Sequence, residues 1–138
     1  MNGTARTQAL VFKNKSFSRL ARRSRLSDDE LCRSVRDAER GLIAADLGGG
    51  VIKQRVARRG AGKSGGFRVL ILFRARELAF FVHGFAKNDV ENIGPEELVA
   101  LRRLAAEMLS YRESELLPAL ASGTIIEVKC NGQNEATP

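Results

Sequence analysis

Gly48–Asp89 reads GGGVIKQRVARRGAGKSGGFRVLILFRARELAFFVHGFAKND, and the rest of the chain is arranged around it. Three runs rich in β-branched and aromatic residues lie inside it: Val51–Ala57, Phe67–Phe73 and Ala79–Phe85. Polar or Gly-rich connections separate them, so the stretch predicts a three-strand antiparallel meander. Lys53 and Arg55 are two positions apart and therefore share one face of their strand. Arg68 opens the next strand, and Lys87 sits just past the end of the third. A sheet that gathers several cations on one face is a place for phosphate.

Upstream, Met1–Arg6 reads as a frayed leader and Ala9–Lys13 as a short strand. Phe17–Arg25 (FSRLARRSR) predicts a helix, with Phe17, Leu20 and Ala21 on one side. Arg19, Arg22, Arg23 and Arg25 cluster around its other side. Such a run is most often a solvated face, and otherwise helps to hold RNA or a partner. Ser27-Asp28-Asp29-Glu30 is a capping box with acids suited to the helix dipole. Leu31, Val35, Ala38 and Leu42 follow at helical spacing, predicting an apolar stripe turned inward. That helix is expected to end before Gly48-Gly49-Gly50.

Downstream, Gly94-Pro95 opens another helix, with Pro95 at the first helical position and Ile93 stapled onto Leu98. Leu98, Leu101, Ala105 and Met108 line one of its faces. Glu113–Ala121 reads as a further helical turn whose length Pro118 limits. Thr124–Val128 can form a last strand, and Asn131–Pro138 has nothing to bury and reads as disordered. No repeat or linker divides the chain, so residues 1–138 are expected to form one α+β domain.

The balance of 23 Lys and Arg against 16 Asp and Glu gives a net charge of +7. That surplus favours a polyanionic partner. Cys32 and Cys130 have no metal-ligand spacing, and a reducing compartment is the simpler inference. No apolar run approaches the roughly 18 residues that span a bilayer. The N-terminus lacks the apolar core of a signal peptide. The expected location is therefore cytoplasmic, with no membrane partner.

Gly60-Ala61-Gly62-Lys63-Ser64 invites a P-loop reading, which fails because Ala57 stands where the first Gly belongs and a strand, not a helix, follows. The segment reads instead as a flexible basic loop. Its Arg58, Arg59 and Lys63 can follow a nucleic-acid backbone without reading bases. His83 is the only histidine. In its apolar run it reads as a packed residue with at most a minor role in chemistry. No zinc-ligand set and no pair of carboxylates for glycosidase chemistry stands out. No metal or other cofactor is expected. The strand cations point to phosphodiester chemistry. RNA supplies its own nucleophile, the 2′-hydroxyl, so a protein need only orient it, stabilise charge on phosphate and protonate the leaving oxygen. Arg suits the middle task because it is planar, bidentate and always charged.

GGGVIKQRVAR, the Gly-rich basic loop, GGFRVLILFR and FFVHGFAKND, with the SDDELCRSVRDAERGL helix, together resemble the RelE/HigB-type toxins of bacterial type II toxin–antitoxin systems. The similarity runs from about Ala9 to Val128. It implies a small α+β fold, an antiparallel sheet packed against α-helices on one face. It also implies a metal-independent endoribonuclease that cuts messenger RNA on the ribosome and so inhibits translation. A cognate antitoxin protein would silence it, and operator DNA would be met only through the antitoxin complex. By the resemblance, catalytic positions fall on Lys53, Arg55, Arg68 and Lys87. One departure stands out: the family's tyrosine after the last basic residue has no counterpart in Val90–Ile93, and the only tyrosine is Tyr111. Either His83 or Phe85 substitutes, or the substrate is oriented differently. The competing reading is a non-catalytic member of this fold that acts by binding a protein such as gyrase. A DNA-binding module ranks last, because no helix-turn-helix is evident.

Overall fold

The structure is a computed structural model and describes residues 8–57, 66–86 and 93–130. In chain order the elements are β1 (Leu10–Asn14), α1 (Lys15–Arg23), α2 (Asp28–Glu39), β2 (Ala45–Gly48), β3 (Val51–Val56), β4 (Phe67–Arg74), β5 (Leu78–Ala86), α3 (Pro95–Met108), α4 (Glu113–Ser122) and β6 (Ile125–Glu127). They form the expected α+β fold, with one six-stranded sheet in the order β2-β3-β4-β5-β1-β6. The meander β3-β4-β5 is antiparallel throughout. β1 lies beside β5 and runs parallel to it, which makes the sheet mixed.

Helices cover both faces of the sheet, not one. Phe17 and Ala21 of α1 and Leu31, Val35 and Ala38 of α2 pack with Ile52, Val56, Val69, Ile71 and Phe81 on the first face. Ala105 and Met108 of α3 and Leu116 of α4 pack with Val51, Leu72, Leu78, Phe80 and Phe12 on the second. The reason is visible in β4. Val69, Leu70, Ile71 and Leu72 are all fully buried, so both sides of this strand carry apolar groups that need a cover.

The caps follow the sequence closely. Ser27 Oγ accepts from the Glu30 amide at 3.2 Å, and Glu30 Oε1 accepts from the Ser27 amide at 2.8 Å. The apolar stripe of α2 buries Leu31, Val35 and Ala38 but not Leu42. The helix ends at Glu39, so Leu42 falls outside it and is exposed. The short strand β2 then intervenes before the glycines, a strand with no strong signal in ADLG. Pro118 sits inside α4 and does not end it; Gly123, at φ 80, does. Ser114 and Pro118 are both exposed, so water can serve the carbonyl that proline leaves unbonded.

The two cysteines also depart from expectation. Cys32 on α2 and Cys130 after β6 form a disulfide with their Cα atoms 5.5 Å apart. Backbone bonds hold the same segment: the Val128 amide donates to Val11 O at 2.9 Å, and the Lys129 amide donates to Asp28 Oδ2 at 3.0 Å. Among the described residues, no helix is long and apolar enough to cross a membrane.

Candidate active site

The cations come from the alternation of β3. Ile52, Gln54 and Val56 turn toward α2, so Lys53 and Arg55 turn the other way. Gln54 fixes that choice. Its buried amide nitrogen donates to Ser34 O and Leu42 O, both at 3.0 Å. Its carbonyl oxygen accepts from the Ala44 amide at 3.0 Å. The Gln54 side chain is itself buried, so a slip of register would strand its polar groups. No local signal marks this role, because the partners lie on α2 and the α2–β2 loop.

On β4, Phe67 and Val69 enter the α1–α2 core and Arg68 points to the opposite face. Arg68 pairs directly with Arg55 across the strands, and Lys53 pairs with Leu70. Directly opposed Cβ atoms lie about 4.5–5.5 Å apart and diagonal ones about 7–8 Å. Lys53, Arg55 and Arg68 therefore converge as expected. Arg55 is exposed, and Lys53 and Arg68 are half-buried. Directly opposed like charges are unfavourable in a strand pair, and an oxyanion is one group that can offset them.

β5 brings a residue that simple alternation misplaces. Phe81 pairs with Ile71 but His83 pairs with Leu70, so Val82 is an extra residue, a β-bulge. Without it, His83 and Phe85 would follow Phe81 into the α1 side. With it, both turn to the cation face, and Phe85 pairs with Arg68. His83 is thus exposed rather than packed. Its ring lies 5.7 Å from that of Phe85. Gly84 now faces α1, and a Cβ there would stand 2.8 Å from Leu20 Cδ2 and 3.2 Å from Phe17 Cε1. Only glycine lets α1 sit this close.

α3 and α4 occupy the other end of the same face, over Val51, Leu72 and Phe80. α3 is anchored there by Arg102, which donates from Nε to Leu47 O at 3.0 Å. Gly50, at φ 91, leaves the room that Leu109 fills; a Cβ would meet its Cδ1 at 2.7 Å. Tyr111 packs edge-on against Phe80 at 6.4 Å. Burial first, and then the neighbouring Glu107 carboxylate, raise its hydroxyl above the usual tyrosine range. Its ring is part of the α3–α4 packing. Lys87, Arg58, Arg59 and Lys63 lie outside the described residues, as do residues 1–6, 90–92 and 131–138. A groove of about 220 Å³ between α2 and the end of β3 is lined by Glu30, Arg33, Ser34, Asp37, Arg55, Val56 and Ala57. Arg55 borders both this groove and the cation face, and the acids Glu30 and Asp37 distinguish the groove.

Fold and site together define a small α+β domain with a cationic sheet face suited to an oxyanion. The chain matches the RelE toxin of RelE / RelB toxin-antitoxin system over residues 9–128. It belongs to this toxin family, and the family implies an antitoxin partner. None of the curated proteins compared with the chain matches it.

Proposed function

We propose that this toxin is a metal-independent endoribonuclease that cuts messenger RNA on the ribosome, in the cytoplasm, and thereby blocks translation. The observation that carries the reading is the Arg55–Arg68 pair, with Lys53 and His83 on the same face of the sheet. The 2′-oxygen attacks the adjacent phosphorus, a 2′,3′-cyclic phosphate forms, and the bond to the 5′-oxygen breaks. Arg68 and Arg55 grip the non-bridging oxygens as charge builds on them. Lys53 helps to orient and deprotonate the 2′-hydroxyl. Lys87 or His83 returns a proton to the leaving 5′-oxygen. The loop cations Arg58, Arg59 and Lys63 would follow the RNA or ribosomal backbone.

The test is Arg68→Ala. Losing one such contact costs about 10²–10³ in rate. Far-UV circular dichroism and thermal unfolding of the purified variant check that the fold holds. Induced expression without antitoxin, followed by mapping of messenger RNA ends, should show loss of both growth arrest and cutting. Parent-like cutting by Arg68→Ala would remove the catalytic reading. Growth arrest with uncut messenger RNA in the parent would favour a binder of a protein target such as gyrase.

A further inference from the structure

We propose that the outer face of α1, together with its C-terminal cap, is a second, non-catalytic docking surface for the phosphate backbone of RNA. The inference takes RNA as the nucleic acid from the function proposed above, and its own support lies on the opposite side of the sheet. α1 is KSFSRLARR, with Phe17 and Ala21 turned into the core. Lys15, Arg19, Arg22 and Arg23 are exposed. Their spacing of four, three and one places them on one stripe, about 12 Å long at 1.5 Å per residue.

The helix forgoes the usual means of offsetting this charge. It has no acid in its first turn, where the dipole would favour one, whereas α2 has Asp28, Asp29 and Glu30 there. Among the described residues, Arg19, Arg22, Arg23 and Arg25 form no ion pair; the pairs present are Lys13–Asp28, Arg40–Asp37 and Arg74–Glu77.

The cap supplies an independent observation. α1 ends in a Schellman motif: the Leu26 amide donates to Ala21 O at 2.8 Å and the Arg25 amide to Arg22 O at 3.3 Å. The motif needs a left-handed residue between them, normally glycine, and here Arg25 takes it at φ 57. The chain places a cation where backbone conformation disfavours any side chain. That choice adds one more exposed charge at the end of the helix that carries the stripe.

Phosphate fits this surface better than an acidic protein does. The stripe exposes guanidinium and hydroxyl groups, with Ser16 beside Lys15, and no large apolar anchor. Protein interfaces draw their energy from such anchors, while RNA backbones are held by Arg, Lys and Ser. Since α1 packs on the face opposite Arg55 and Arg68, the surface would grip a part of a folded RNA other than the strand being cut.

The experiment measures binding of the full chain to purified ribosomes against potassium chloride concentration. Arg19→Gln/Arg22→Gln/Arg23→Gln should lower the log–log salt slope by roughly 2–2.7, at about 0.7–0.9 per lost phosphate contact. Affinity at low salt should fall more than tenfold. Arg25→Gly should lower the slope by about 0.7–0.9 while raising the melting temperature by a few degrees, because glycine suits the left-handed cap. A gain in stability with a loss of binding separates docking from folding. Parent-like slopes in both variants would overturn the proposal. So would parent-like ribosome binding combined with lost neutralisation by the co-expressed antitoxin, which would assign the stripe to an acidic protein. Arg68→Ala bears only on cutting: if it cuts normally while the α1 variants bind weakly, the docking surface stands and the catalytic assignment falls.

Discussion

Breaking the Cys32–Cys130 bond should weaken the fold by an amount the structure lets one estimate. The two residues are 98 apart in sequence. Cross-linking a loop of about that size restricts the unfolded chain by roughly 4.7 kcal/mol at 25 °C in the chain-entropy treatment, with about 2–4 kcal/mol typical of measurement. The lower part of that range is expected here, because the Val128 and Lys129 amides hold the same segment to β1 and α2 without the bond. For 138 residues, an unfolding entropy of about 2.1 cal/mol/K per residue makes a loss of about 3 kcal/mol equal to a fall of about 10 °C in Tm. The assay is equilibrium urea unfolding of the air-oxidised protein with and without a phosphine reductant, beside Cys130→Ser, with thiols counted in denaturant. Cys130 is the better site to change, since Cys32 is fully buried and a serine there would add a desolvation cost. Reduction should lower the midpoint of the parent and leave Cys130→Ser unmoved. Cleavage per folded molecule should not change, because Cys32 packs on the face opposite Arg68. Two free thiols in the oxidised parent, or one midpoint for all samples, would refute the reasoning.

His83→Ala should leave Tm nearly unchanged, since the side chain is exposed, and should reduce cutting on programmed ribosomes by about tenfold or more. Parent-like cutting would assign proton return to Lys87 instead. Gly84→Val should destabilise by about 1–3 kcal/mol through overpacking, because its Cβ already crowds Leu20 and the Phe17 ring, which is tilted against Phe81 with centroids 5.2 Å apart. Leu20→Ala in the same chain should recover only part of that loss in thermal unfolding, since Phe17 has no room to turn; full recovery would show that Leu20 alone makes the contact.

Local chemistry wrote much of this protein into its sequence. The capping box at Ser27 and Glu30, the proline start of α3 and the three apolar runs each specify an element within a few residues. Period-two alternation then carries Lys53, Arg55 and Arg68 to one face, because side chains on a strand have only two directions. Their convergence needed one further fact, the antiparallel pairing of neighbouring strands, which short connections favour. Other features depended on contacts distant along the chain. β2 exists because it pairs with β3, not because ADLG prefers a strand. The parallel seat of β1 beside β5 and the meeting of Cys32 with Cys130 join segments about 70 and 98 residues apart. The second helical layer arises because both sides of β4 carry apolar groups. His83 shows the limit most clearly. Counting by twos from Phe81 places it in the core, and one extra residue at Val82 turns it outward to the cations. A bulge is set by how two strands fit beside their helices, and that fit is a property of the assembled sheet.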